Sequence, residues 1–154
     1  MAVPEPRVDR ASGFVPAPPE TVYRAFVEPE ALMAWLPPAG MTGRIVLFEP
    51  REGGRYRIAL AYRDEGKGKT DASTDVSEGR FLVLEPGRRI VMSVLFDSAD
   101  PAFAGEMIMT WSFAPAPGGT EVAVAARQVP AGIAPEDHAA GMASSLANLA
   151  KLLA

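Results

Sequence analysis

The sequence predicts an α+β fold in which a curved antiparallel sheet of about six to seven strands wraps around one long C-terminal helix. Three observations predict this fold. A short helical pair follows the first strand, a series of alternating strand-like segments fills the middle of the chain, and an amphipathic helix closes it. Because a sheet and a helix must each bury one face against the other, this order also predicts an interior space between them.

Two short helices are predicted after the first strand. Prolines at 16, 18 and 19 end that strand and suit the first turn of a helix. Val22 and Phe26 then recur at helical spacing. The segment 28–30 breaks and restarts the helix, and Pro37-Pro38 ends it.

The strands are predicted from two-residue alternation and from the turn residues between them. Apolar residues alternate with arginine and alanine from Tyr56 to Tyr62, which is the period of a half-buried strand. In the first strand we expect Val8 and Phe14 to contact the core. The polar segment 64–73, rich in Gly and Lys, predicts a mobile hairpin loop. The predicted strands are 7–15, 41–48, 55–63, 76–84, 89–97, 107–114 and 120–128.

The terminal helix is predicted over 135–154. Pro135 suits its first turn, and Glu136 and Asp137 lie at the positive end of the helix dipole. Gly141 leaves little bulk, so we expect the sheet to come near the helix there. One apolar stripe runs along it through His138, Met142, Leu146, Leu149 and Leu153.

Length, charge and composition limit the class of protein. A chain of 154 residues fits one domain spanning residues 1–154. The formal net charge of −4 argues against a nucleic-acid binder, which needs a basic face. No segment approaches membrane-spanning length and no signal peptide is recognisable, so a cytoplasmic protein is expected.

The sequence contains no recognisable site for a metal or a cofactor. It has no cysteine and one histidine, which leaves no familiar ligand set. The paired glycines at 53–54 and 118–119 are turn signals without the spacing of a phosphate-binding loop. We therefore expect neither a metal nor a cofactor.

Several motifs in a fixed order resemble a known family over essentially the whole chain. They are Ala-Pro-Pro-Glu at 17–20, Glu-Pro-Glu-Ala-Leu at 28–32, Pro-Arg-Glu-Gly-Gly-Arg-Tyr-Arg at 50–57, Gly-Gly-Thr at 118–120, and Gly-Met-x-x-Ser-Leu-x-x-Leu at 141–149. Together they resemble bacterial homologues of the C-terminal domain of the heat-shock-protein-90 ATPase activator. That group belongs to the START-like superfamily of helix-grip folds, with polyketide cyclases and lipid-transfer domains.

The resemblance implies a deep cavity for an apolar or polycyclic small molecule, but not one reaction, because the superfamily includes carriers, cyclases, resistance proteins and protein-binding modules. The family often has Gly-Trp where this chain has Gly141-Met142. It often ends the last strand with a histidine where this chain has Ala126. Both differences favour a more apolar cavity.

The candidate ligand-binding residues are apolar or aromatic and are expected to point inward. Methionine is flexible and polarizable, which suits it to varied ligands. His138 and Glu106 are the polar candidates. Alternation does not decide whether Glu106, Glu78 or Asp97 faces the cavity. The apolar candidates are Trp35, expected at one end, and Tyr56, Ile58, Leu60, Tyr62, Met92, Phe96, Met107, Met109, Trp111, Met142 and Leu146.

Three functions remain open from the sequence. The first is a carrier, sensor or sequestering protein for a small hydrophobic molecule. The second is a cyclase, lyase or hydrolase in which His138, Tyr56 or Glu106 moves a proton. The third is a protein-interaction module, and a homodimer through a sheet edge is compatible with any of them.

Overall fold

The helices and strands follow the order that the sequence predicts. The structure is a computed structural model that describes residues 6–62 and 74–154. The segment 64–73, predicted to form a hairpin loop, lies outside the described residues. The elements are β1 (Val8–Val15), α1 (Pro19–Val27), α2 (Pro29–Trp35), β2 (Met41–Phe48), β3 (Arg55–Tyr62), β4 (Thr74–Glu85), β5 (Arg89–Phe96), a short 3-10 helix (Pro101–Phe103), β6 (Met107–Ala116), β7 (Gly119–Arg127) and α3 (Pro135–Leu152).

The strands form one curved antiparallel sheet. The seven described strands are ordered β1-β7-β6-β5-β4-β3-β2, so β1 and β2 are its edges. The helix α3 packs against β1 and against α2. This is the α+β arrangement of a sheet around a terminal helix, and the predicted fold class is confirmed.

The two short helices are set by proline and by their buried faces. Pro19 and Pro29 each lie in the first turn, where a missing N–H costs no helical hydrogen bond. Between the helices, Glu28 has extended backbone (φ −103°), so the chain changes direction there. The buried faces contribute Val22, Ala25, Phe26, Leu32 and Trp35 to the core.

Four aromatic rings make one end of the interior solid. Phe26 lies with its ring centroid 4.6 Å from Trp35, 5.1 Å from Trp111 and 5.2 Å from Phe113. The Trp35 indole N–H donates a hydrogen bond of 2.9 Å to the Ala25 carbonyl. Tilted and edge-to-face rings at these distances pack closely. No room for a ligand remains between them.

The inward face of β1 differs from the prediction by one residue. Phe14 is 46% exposed, whereas Val15 is fully buried and Asp9 is 6% exposed. Val8 is only half-buried. A shift of one position moves every side chain of a strand to the opposite face. The expectation that Val8 and Phe14 contact the core was therefore wrong.

The expected close approach of the sheet to α3 occurs at a different glycine. A Cβ atom added to Gly141 would meet nothing within 4 Å, so the sheet does not crowd this position. In β1, a Cβ at Gly13 would lie 3.6 Å from the Cβ of Leu146. The contact between helix and sheet is thus made along β1, and Gly141 faces open space.

Candidate ligand-binding cavity

A cavity of about 270 Å³ lies between the sheet and the first half of α3. Strands β3 to β6 form one wall, and the segment that follows α2 closes one side. Its lining is mainly apolar. The lining residues are Leu36, Pro38, Met41, Tyr56, Ile58, Leu60, Tyr62, Asp75, Met92, Val94, Phe96, Met109, Trp111, Ile133, Asp137, His138, Gly141, Met142 and Ser145.

Most of the apolar candidates from the sequence are brought together around this cavity. Alternation places every second residue of β3 on its inner face, and β5 and β6 supply methionines opposite α3. Whether these side chains bind a ligand stays a prediction. The candidates that line the cavity are Tyr56, Ile58, Leu60, Tyr62, Met92, Phe96, Met109, Trp111 and Met142.

Three apolar candidates lie away from the cavity. Trp35 does not close one end of it, because its ring is fully buried in the aromatic core. Leu146 belongs to the same core, where it packs under β1. Met107 is buried in a separate small cluster with Val94 and Ala126.

The carboxylates considered from the sequence lie outside the cavity. Glu106 is exposed. Glu78 and Asp97 both pair with Arg57, at 2.8 and 2.9 Å, and Arg57 alternates with the inward Tyr56 and Ile58. These side chains therefore lie on the outer face of the sheet. Within the described part of the chain, the carboxylates on the cavity lining are Asp75 and Asp137 instead.

His138 lines the cavity and is held by a buried carboxylate. Its Nδ1 lies 2.7 Å from an Asp9 oxygen, and the His138 side chain is 14% exposed. Arg7 binds the same carboxylate with two hydrogen bonds, of 2.9 and 2.7 Å, and also donates to the Ile133 carbonyl. These contacts tie β1 to the start of α3.

The charge state of Asp9 determines which nitrogen of His138 carries hydrogen. The Arg7 guanidinium holds the pKa of the Asp9 carboxyl below its usual value, and the hydrogen bond with His138 lowers it further, although burial opposes both. An ionised carboxylate only accepts hydrogen bonds. Nδ1 of His138 is therefore the donor, and in the neutral ring Nε2 carries a lone pair.

A second polar pair lies on the same lining. The Tyr62 hydroxyl donates a hydrogen bond of 2.8 Å to Asp75, which is 5% exposed. Burial, and then the adjacent carboxylate, raise the pKa of Tyr62 above its usual value. The phenol therefore keeps its proton, and its oxygen accepts any further hydrogen bond.

The remaining hydroxyls on the lining are directed toward the protein. Tyr56 donates to the Ser93 carbonyl at 2.6 Å, and burial raises its pKa. Ser145 donates to the Leu36 carbonyl at 2.6 Å. These bonds fix β3 to β5 and α3 to the end of α2. Neither hydroxyl has its hydrogen available for a ligand.

Asp9 and Asp75 were not found from the sequence. Each faces the same side of the sheet as a buried apolar residue an even number of positions along its own strand. Asp9 shares a face with Val15, and Asp75 shares one with Phe81. The alternation of β1 was assigned to the wrong face, and β4 begins at Thr74 rather than at the predicted Val76. A correctly phased alternation would have placed both carboxylates inside.

Residues 6–62 and 74–154 contain neither a metal-ligand cluster nor a membrane-spanning helix. No group of three His, Asp or Glu side chains there is arranged to hold a metal ion. None of the helices there has the length and apolar character needed to cross a membrane.

The fold and its cavity define a helix-grip protein of the START-like class. Residues 16–154 match the family described as "Activator of Hsp90 ATPase homolog 1-like protein". Because the match covers most of the chain, the protein belongs to this family, and the resemblance indicated by the motifs is confirmed. No curated protein matches the sequence.

Solved structures share the fold over nearly the whole chain. A protein from Chromobacterium violaceum is 34% identical, with a TM-score of 0.85, over 95% of this chain and 96% of that chain. One from Rhodobacter sphaeroides is 26% identical, with a TM-score of 0.73, over 99% and 95%. A protein in the dynemicin biosynthetic locus shares the fold at 22% identity and a TM-score of 0.67, over 97% of this chain and 48% of its own.

Proposed function

We propose that this protein binds a compact hydrophobic or aromatic molecule between the sheet and α3, as a carrier, sensor or sequestering protein. The observation that supports this function is a cavity of about 270 Å³ with a mainly apolar wall and a few polar groups. Ligand sites in proteins commonly combine an apolar lining with a few polar groups that fix the orientation of the ligand. The driving force would be burial of apolar ligand surface, at about 25 cal/mol per Å².

The cavity volume limits the size of the ligand. An engineered apolar cavity of about 150 Å³ in another protein holds one benzene ring. The volume of about 270 Å³ here is less than twice that value. We therefore expect ligands of one or two aromatic rings, or of similar bulk, and we expect sterols and larger polyketides to fit poorly.

Gly141 offers a test that blocks the cavity without disturbing its wall. A side chain there meets no atom within 4 Å of its Cβ, and the residue lines the cavity. We expect small aromatic compounds to raise the melting temperature of the wild type and to remain bound in native mass spectrometry. Gly141→Leu should fold but lose most of this stabilisation, because its side chain occupies the ligand's volume.

Gly141→Ala is the matched control for this experiment. It adds one methyl group at the same position and should keep most of the binding. Equal binding by Gly141→Leu and the wild type would mean that the ligand lies elsewhere. A wild type that responds to no compound in a panel of one-ring to four-ring molecules would contradict the proposed function.

A proton-transfer enzyme is the second candidate, and the Asp9–His138 pair favours it. Asp9 would keep hydrogen on Nδ1, so that Nε2 could take a proton from a bound substrate. Tyr56 is a weaker candidate because its hydroxyl is bound to Ser93, and Glu106 is exposed outside the cavity. His138→Phe should abolish turnover of a bound compound but should not abolish binding of that compound. Turnover is measured by mass spectrometry of the products. Unchanged turnover in His138→Phe would exclude His138 as the base.

A further inference from the structure

Among the described residues, the polar groups on the cavity lining are almost all hydrogen-bond acceptors. The hydroxyl hydrogens of Tyr56, Tyr62 and Ser145 are already given to acceptors of the protein. What each hydroxyl can still offer a ligand is an oxygen lone pair. Among the described residues that line the cavity, none is Lys or Arg.

The accessible nitrogen of His138 adds a further acceptor. Within residues 6–62 and 74–154, the only hydrogen-bond partner of the His138 ring is Asp9, which is bound at Nδ1. No buried side-chain nitrogen or oxygen in those residues lacks a partner, so Nε2 is not sealed in the protein. Because Nδ1 donates to the ionised Asp9, Nε2 presents its lone pair whenever the ring is neutral.

The start of α3 would not attract a carboxylate ligand either. A helix N-terminus carries partial positive charge that favours anions. Here Glu136 and Asp137 already place negative charge in the first turn, and Asp137 also lines the cavity. An anionic group at this end would meet carboxylates of the protein.

We propose that this cavity selects a compact aromatic ligand presenting a hydroxyl or amine hydrogen-bond donor to His138 Nε2 and the Tyr62 oxygen, and that it discriminates against carboxylate ligands. This inference rests on the proposed function and specifies its ligand class. The apolar wall would hold the rings, and the donor would determine their orientation. A hydroxyl and an amine share this chemistry, so both are included in the test.

The test compares compounds that share one two-ring skeleton. Naphthalene, naphthol, aminonaphthalene, methoxynaphthalene and naphthoate are titrated against the purified wild-type protein by calorimetry at about pH 8, which favours a neutral imidazole. We expect naphthol or aminonaphthalene to bind about ten-fold more tightly than naphthalene, which corresponds to one net hydrogen bond. Methoxynaphthalene keeps the oxygen but has no donor, so it should gain nothing. Naphthoate should bind more weakly than naphthalene.

Variants assign the preference to the named groups. In His138→Phe the ratio of naphthol to naphthalene affinity should fall to near one, with naphthalene affinity little changed. Tyr62→Phe should lower the same ratio, and it keeps the test decisive if His138→Phe does not fold. Glu106→Gln, on an exposed residue outside the cavity, is the control and should leave the ratio unchanged.

The possible failures are distinguishable. If naphthoate binds more tightly than naphthol, or if naphthol and methoxynaphthalene bind equally, the donor preference is refuted while ligand binding stands. A preference that persists in both His138→Phe and Tyr62→Phe refutes the assigned acceptors. If none of the five compounds binds, including naphthalene itself, both the proposed function and this inference fail.

Discussion

At the scale of single residues, Asp9 joins the two ends of the chain. It lies in the first strand, receives two hydrogen bonds from Arg7, and is bound to His138 in the first turn of the last helix. A carboxylate that is 6% exposed would be costly without such partners. The same contact that stabilises the carboxylate also fixes the orientation of the His138 ring beside the cavity.

Replacing Asp9 is expected to lower stability in a pH-dependent way. The pKa of Asp9 is lowered in the folded protein, so its stabilising contribution is complete above the unfolded value of about 3.9. As the pH falls through the lower folded pKa, the contribution is lost. Asp9→Asn should therefore reduce the free energy of unfolding by about 1–3 kcal/mol at neutral pH. The difference in the free energy of unfolding between the wild type and Asp9→Asn should become smaller below about pH 4.

Urea unfolding across this pH range measures the effect. Asp97→Asn is the control, because the Asp97 side chain is 52% exposed and its pair with Arg57 is on the surface. Such pairs contribute about 0–1 kcal/mol. A gap between wild type and Asp9→Asn that stays constant down to strongly acid pH would show that the carboxylate charge is not what stabilises this contact.

Residue positions were predictable only where the alternation was long. The run from Tyr56 to Tyr62 has four inward apolar side chains, and all four line the cavity. In β1, Gly13 and Ala11 give a weak apolar signal on the inner face, and the exposed Phe14 gives a strong one on the outer face. Hydrophobicity alone therefore favours the wrong face, and with it the wrong position for Asp9.

At the scale of elements, Tyr56 of β3 reaches across β4 to β5, and it crosses β4 at a glycine. It stands opposite Gly79 in β4, and its hydroxyl reaches the Ser93 carbonyl in β5. Arg80 donates its backbone N–H to the Ser93 hydroxyl instead of to a β5 carbonyl. The ladder between β4 and β5 is thus interrupted here, and the tyrosine hydroxyl satisfies the carbonyl that the interruption leaves.

Gly79→Ala is expected to destabilise this part of the sheet. A Cβ at Gly79 would collide with the backbone oxygen of Ser93, the acceptor of the Tyr56 hydrogen bond. Backbone cannot move aside as a flexible side chain can, so we expect a loss of about 1–3 kcal/mol by urea unfolding. A variant as stable as the wild type would mean that β4 and β5 separate freely at this point.

Gly141→Ala should stabilise the protein, in contrast to Gly79→Ala. Gly141 lies inside α3, and its added Cβ would meet nothing within 4 Å. Alanine loses less backbone entropy than glycine in a helix, which predicts a gain of about 0.5–1 kcal/mol in the same assay. A loss of stability would indicate that the helix needs glycine there for a reason other than space.

The sheet edges bear on the predicted homodimer, which stays a prediction. The edge strand β2 has a shift in pairing between Ile45 and Leu47, and Val46 between them is 51% exposed. Bulges at edges hinder pairing with another sheet. The other edge, β1, is packed against α3 on its inner face. Of the two, β1 has the more regular ladder, because its pairing with β7 continues without a shift.

At the scale of the whole molecule, the fold was predictable and the cavity only partly so. Turn residues and periodicity predict each described strand and α-helix within a few positions, because they act locally, whereas the short 3-10 helix at Pro101–Phe103 was not predicted. The cavity depends on how far α3 stands from the sheet. That distance follows from packing: Gly13 admits the helix near β1, while the aromatic core around Trp35 fills the space next to α1 and α2. A local sequence pattern cannot predict this distance, because it depends on many contacts between residues far apart in the sequence.

A whole-molecule consequence is that no tyrosine should titrate normally in the folded protein. The chain has three tyrosines, and burial is the main cause that raises the pKa of Tyr23, Tyr56 and Tyr62 alike. In the unfolded chain each phenol titrates near pH 10. The folded state therefore holds its phenolic protons more tightly, and the stability this gives is complete below about pH 10 and is lost as the pH rises through the folded pKa values.

Phenolate absorbance, followed together with near-ultraviolet circular dichroism, tests this expectation. In the wild type, the phenolate signal should increase only at a pH higher than that at which the urea-unfolded protein titrates. This increase should accompany the loss of tertiary structure. Tyr62→Phe should remove the phenolate signal of one of the three tyrosines. The other two tyrosines should still titrate at a higher pH than in the unfolded protein. A phenolate signal near pH 10 in protein that is still folded would show that the hydroxyl concerned is in contact with water. If Tyr62→Phe removed that signal, the polar end of the cavity would be more open than its contacts with Asp75 indicate.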